Sequence, residues 1–160
     1  WLLASPLRAR AVSVLTQLEL NTDKRIAILA TAQLWRTKLP VALKADLEKW
    51  QNVINRLPLA YQAGPYYVLG QLQQQRGESA LAVLTWMRVI ILYPHGHQLN
   101  AESLLAAIKA LRQLEKPTQA ITLCRELQNE YQSTIAATQT SRLIKQLQQL
   151  QLDLKAASEK

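Results

Sequence analysis

Residues 48–58 read EKWQNVINRLP and residues 84–94 read LTWMRVIILYP. Trp50, Val53, Ile54 and Pro58 recur as Trp86, Val89, Ile90 and Pro94, each 36 positions further on. In both stretches the Trp, Val and Ile stand three and four residues apart, which places them on one face of a helix that the Pro then ends. A period of this length holding two helices is the sequence signature of stacked helix pairs, because one pair cannot bury its apolar face alone. The same bulky side chain then fills the same gap in successive layers. Trp50 and Trp86 are expected in that role, and therefore in the core.

Helix punctuation extends this reading in both directions. Ser5-Pro6 supplies an N-cap and a Pro at the first helical position for a helix over 6–20. Asn21-Thr22-Asp23 caps a second helix, to 38, which Leu39-Pro40 stops. A third runs over 41–57 and ends at Pro58. Gly64-Pro65 starts a fourth, and Gly77 ends it as a left-handed C-terminal residue. The fifth spans 78–93, followed by Pro94 and a loop at His95-Gly96-His97. In it Leu81, Leu84, Val89 and Leu92 point to nearly all faces, which predicts a helix covered on two sides. A sixth is expected over 99–114, a seventh from Lys116-Pro117 to about 132, and a last, longest one over 134–157.

Composition agrees with helices throughout. The chain has 160 residues, the size of one ordinary domain, and is 49% apolar and 19% charged, which is a globular balance. With only 4 Gly and no Phe, and with Leu, Ala and Gln abundant, it is made of residues that lose little side-chain freedom in a helix. The expected class is all-α. The single Cys, Cys124, excludes an internal disulfide framework and reads as a small buried hydrophobe. The formal charge of +8 favours acidic partners (an acidic peptide, a nucleic acid or an anionic membrane surface) or else marks an ordinary solvated basic surface. No apolar run approaches the ~20 residues that cross a bilayer. The chain opens on WLLASP, without Met or a charged-then-apolar leader, and reads as a processed or excerpted piece of something longer.

The stretch YYVLGQLQQQRGESALAVLTWMRVIILYP, residues 66–94, resembles a tetratricopeptide repeat. Tyr66 stands at the first-helix aromatic position and Leu69-Gly70 at the Leu-Gly pair. Ala82 is the small residue at the helix crossing, Trp86 the large residue and Pro94 the terminal Pro; Gln73 stands where the family has Tyr. Ala120, Cys124, Leu127 and Tyr131 follow Ala82, Trp86, Val89 and Tyr93 by 38, with Gln132 in place of the Pro and Ile108 in place of the small residue at Gly70. In the preceding repeat Leu34 takes the place of Gly70 and Asp46 that of Ala82. The resemblance covers about 23–132. It implies one α-solenoid domain of antiparallel helix pairs, a tetratricopeptide-like superhelix. Its pairs are 23–58, 63–94 and 99–132, with 6–20 as the second helix of a truncated repeat and 134–157 as a long C-terminal cap. Leu143, Leu147, Leu150 and Leu154 give that last helix the apolar stripe a cap needs, or that a short coiled coil would use. The Tyr-Pro ending and the longer loop between repeats also resemble bacterial envelope members of the family, which implies a periplasmic or envelope-associated place.

Enzymatic constellations are not found in the sequence. His95 and His97 sit two apart on a turn, with no Cys or carboxylate at ligand spacing, and read as a solvated loop rather than a metal site. Glycine-rich phosphate loops, nucleophile elbows and HExxH helices are missing. Asp46 and Glu48 are i and i+2 on a helix and face apart. No catalytic residue, metal or cofactor is therefore expected. The resemblance implies instead a protein or peptide partner, docked on the concave face lined by first helices. By register that face holds Thr31, Trp35 and Lys38, then Tyr67, Gln71 and Gln74, then Leu105, Lys109 and Arg112. Trp35 and Tyr67 would be its anchors, since aromatics concentrate binding energy; the alternative is that Trp35 packs against the preceding helix pair and Tyr67 is an ordinary half-buried tyrosine. Lys38, Lys109 and Arg112 would hold a carboxylate. Two readings compete with this scaffold. One is a basic helical-repeat module that binds RNA, although Arg8, Arg10, Lys24, Arg25 and Arg88 are scattered rather than striped. The other is the helical accessory region of a larger enzyme.

Overall fold

Every segment with helical periodicity forms a helix in the computed structural model, which describes residues 6–158. Among the described residues there is no strand. The helices among the described residues are α1 (Arg8–Leu18), α2 (Lys24–Lys38), α3 (Lys44–Asn55), α4 (Ala63–Gln75), α5 (Ser79–Leu92), α6 (His97–Gln113), α7 (Pro117–Glu130), α8 (Ile135–Thr138) and α9 (Thr140–Ser158), with a 3-10 turn at Leu59–Tyr61. The chain divides into two compact units, one through Arg76 and one from Gly77.

In the first unit α1 packs on α2, and both α2 and α3 pack on α4. Ser5, the expected cap of α1, lies outside the described residues, and the helix begins after Leu7 without a side-chain cap. At α2 the expected cap is present. The Asp23 carboxylate accepts from the Arg25 backbone N–H at 2.9 Å, and Asn21 Oδ1 accepts from Asp23 N–H at 2.8 Å. The Arg25 side chain, bonded to the same carboxylate, holds the Asp23 pKa down at about 2. Helix α3 begins three residues later than expected. Val41 and Ala42 still bond back to the Lys38 carbonyl, and the helix starts only where Asp46 Oδ2 accepts from Leu43 N–H at 2.7 Å. Trp35 and Trp50 tie α2 to α3 as parallel rings, 4.5 Å apart at 3°. Tyr66, Gln51 and Asn55 form a hydrogen-bonded triangle between α4 and α3, and the Arg76 guanidinium donates to the Ala42 carbonyl.

The second unit is a sequential stack: α5 on α6, α6 on α7, α7 on α9. Its core contains Leu104, Ile108, Ala120, Cys124, Leu127 and Leu147, all at 0% exposure. Helix α6 ends in a left-handed residue that is not glycine. Glu115 has φ 55°, which lets Lys116 N–H reach the Leu111 carbonyl at 2.9 Å and Glu115 N–H reach that of Arg112 at 3.1 Å. Gly77, with φ +79°, takes the same conformation after α4, as its position predicted.

Trp50 and Trp86 are buried, at 6% and 2% exposure. Two expectations need correction. Helix α5 is not covered all round: Ala82, Trp86 and Val89 are buried, whereas Leu81, Leu84, Ile91 and Leu92 are about half exposed or more. The last helix is not continuous over 134–157 either. It breaks at Gln139 into the short α8 and the long α9. The Thr134 hydroxyl caps α8 by accepting from Ala137 N–H, and the fully buried Thr140 hydroxyl donates to the Ala137 carbonyl at 2.6 Å. That carbonyl is the one a continuous helix would offer to Ser141, so Thr140 takes the place of a helical bond.

Candidate functional site

On the first unit the predicted face is partly an interior. Trp35 is 3% exposed and stacked on Trp50, so its indole is a core group and not an anchor. Its neighbour Arg36, one residue or about 100° further round the helix, takes the place beside Tyr67. The Arg36 guanidinium carbon lies 5.6 Å from the centroid of the Tyr67 ring, a cation–π distance. Arg36 Nε is buried and has no hydrogen-bond partner among the described residues. Thr31 donates its hydroxyl to the Ala27 carbonyl at 3.0 Å and is half-buried, as are Tyr67, Gln71 and Gln74. Lys38 is exposed in the last turn of α2, where a cation complements the helix dipole.

On the second unit Leu105 belongs to the core, at 9% exposure, while Lys109 and Arg112 are exposed along α6. Arg112 opens into a cleft of about 440 Å³, lined also by Thr138, Gln139, Arg142, Leu143 and Gln146. The break at Gln139 shapes this cleft. It lets α8 present Thr138 and lets α9 turn Arg142 and Gln146, an i, i+4 pair, toward the end of α6. Gln146 Oε1 accepts from Arg112 Nη1 at 2.9 Å. Neither Arg112 nor Arg142 has an ion-pair partner among the described residues, and the Arg142 side chain makes no hydrogen bond there. Arg36, Arg142 and Gln146 were missed from the sequence. The last two carry a signal in retrospect, since they share a face of α9 next to the Leu143/Leu147 stripe.

Other reactive groups lie apart from these faces. Cys124 is buried at 0% exposure, and burial pushes its thiol up to about 11, so it is protonated at neutral pH. His95 and His97 are exposed, and the His97 ring leans on Tyr131 with centroids 5.0 Å apart. Among the described residues no three His, Cys, Asp or Glu side chains are grouped to hold a metal ion, and no helix is long and apolar enough to cross a membrane. Comparison with family models, with curated proteins and with solved structures found no match in any of the three.

Proposed function

We propose that this chain is a non-catalytic interaction scaffold of the α-solenoid type, whose first helices dock a peptide or helical segment of an acidic protein partner. The observation that carries this reading is the pair Lys109 and Arg112, three residues apart on one exposed face of α6, with Arg112 opening into a cleft. Supporting it are the sequential stacking of α5, α6, α7 and α9, the 36-residue recurrence of buried Trp, and the formal charge of +8. On the first unit the corresponding contacts come from Tyr67 with Arg36 over its ring, together with Gln71 and Lys38. Trp35 stacks in the core and offers no contact to a partner.

Selection from a randomised peptide library on the full chain tests the proposal. Peptides rich in Asp and Glu are expected to be enriched. The double substitution Lys109→Glu and Arg112→Glu should abolish their capture while moving the melting temperature little, since both side chains are exposed. Enrichment of neutral peptides, or equal capture by the double variant, overturns the docking face. Tighter binding of single-stranded RNA than of any peptide, with a steep salt dependence, would favour the nucleic-acid reading instead.

A further inference from the structure

Helix α5 leaves four large aliphatic side chains in water. Leu81, Leu84, Ile91 and Leu92 are 50%, 65%, 68% and 48% exposed. Together with Arg88, also exposed, they fall within an arc of about 100° on one side of the helix, away from the buried Ala82, Trp86 and Val89. The helical repeat does not call for apolar groups there. Its offsets of 36 and 38 residues place Glu48, Asn55 and Arg56 at the end of α3, and Thr122, Asn129 and Glu130 on α7, where α5 has Leu84, Ile91 and Leu92. All six are polar and exposed. The same face is thus given to water in the two sister helices and made aliphatic in α5 alone. A contiguous apolar stripe of this kind, rimmed by polar surface, marks a contact with another molecule.

The spacing of the stripe fixes the shape of what covers it. Leu81, Leu84, Arg88 and Ile91 follow one another by 3, 4 and 3 positions, which is the seam of a coiled coil. We propose that this stripe docks an amphipathic helix of another protein, one that lays aliphatic side chains along the seam and sets a carboxylate against Arg88. The site is on α5 and is distinct from the docking face of the first helices. Charge argues against a second copy of this chain as the occupant. Helix α5 contains no Asp or Glu to meet the Arg88 of another copy, and each copy has a formal charge of +8. A bilayer surface fits poorly as well. An interfacial helix carries its charges opposite its apolar face, whereas Arg88, the only charged side chain in α5, lies in the middle of the stripe. An extended peptide would need a sheet edge to join, and there is no strand among the described residues.

The test offers the full chain a library of helical peptides about four turns long, with Leu or Ile at every seam position but one and that one randomised. Selection should enrich Asp or Glu at the open position, and the methyl resonances of Leu84 and Ile91 should shift in NMR when an enriched peptide is added. Arg88→Glu should turn the preference toward Lys or Arg. Leu84→Gln combined with Ile91→Gln should weaken binding by about tenfold or more and move the melting temperature little, since both side chains are exposed. Lys109→Glu with Arg112→Glu, on α6, should leave capture of these peptides unchanged. No enrichment overturns the proposal, as does a preference that does not follow the charge at position 88, or capture that is lost in the α6 variant and kept in the α5 one. Two further measurements can assign the stripe elsewhere. Sedimentation of the chain alone that shows a dimer, dissociated by the Leu84/Ile91 variant, would give it to a second copy. Binding to vesicles of phosphatidylcholine and phosphatidylserine that is tighter than to any peptide, and lost in the same variant, would give it to a membrane surface. Either result overturns the proposal.

Discussion

The first unit is built around a stacked aromatic pair, whereas the second, although it buries Trp86 in α5, gathers its α6–α7–α9 core from aliphatic and small side chains. In the first, Trp50 lies flat on Trp35. In the second, the residue at the corresponding repeat position in the α7 register is Cys124, surrounded by Leu104, Ile108, Leu127 and Leu147. Both positions are buried, yet the side chains differ greatly in volume. The position demands exclusion of water, and neighbours on other helices make up whatever volume the residue itself lacks. The units also close their helix ends differently. The first uses charged and amide side chains, at Asn21, Asp23, Asp46 and Arg76. The second uses hydroxyls and a buried amide, with Asn100 donating to the Tyr93 carbonyl at 3.0 Å.

The largest expected effect breaks the aromatic half of that comparison. Trp50→Ala removes a buried indole and the stacking partner of Trp35, and should cost ~3–5 kcal/mol in urea denaturation. Cys124→Ala removes only a sulfur from a well-filled site and should cost ~1 kcal/mol. Equal costs for the two would show that volume is not shared as described. Hydrogen exchange should place the Trp50→Ala loss in amides of α2 to α4. A smaller effect compares the two left-handed helix ends. At Gly77, where nothing crowds an added Cβ, Ala should cost about 1 kcal/mol through backbone conformation alone. At Glu115, Gly should gain about 0.5–1 kcal/mol, because the native residue already bears that strain. If Glu115→Gly is destabilising, the left-handed conformation is not what limits that turn.

The smallest effect concerns the charged caps of the first unit. Asp23 has a native pKa of about 2 against an ordinary 3.8, held down first by the Arg25 side chain and then by its backbone N–H. A depressed carboxylate contributes its stability in full above the unfolded value and loses it as pH falls through 3.8 toward 2. NMR titration of the Asp23 carboxyl should therefore show a midpoint near 2, and Asp23→Asn should remove this part of the acid dependence. A midpoint at the ordinary value would mean that Arg25 does not stay on the carboxylate in solution.

Much of the local structure was legible. The cap at Asp23, the left-handed Gly77 and the Pro at the start of α7 each act through their own backbone neighbours, and each lies where spacing placed it. The burial of Trp50 and Trp86 was legible too, because a large apolar residue at helical spacing has few other places to go. The site was legible only in part. Lys109 and Arg112 are exposed on α6 as expected, but of the two roles open to Trp35, anchor or packing group, the second holds, and its neighbour Arg36 faces Tyr67. Spacing shows that two adjacent residues differ by about a quarter turn, and does not show which of the two a neighbouring helix covers.

The sequence by itself determined that this chain is helical, where most of its helices start and stop, and which bulky residues are withdrawn from water. These are matters of backbone preference and of apolar surface, both set within a few residues. Tertiary structure alone decided the rest: that Trp35 turns inward to meet Trp50, that one face of α5 stays exposed, and that the last helix breaks at Gln139, beside the cleft that Arg112 and Arg142 line. Each depends on how one helix is rotated against another, and that rotation is fixed by packing between residues far apart in the chain.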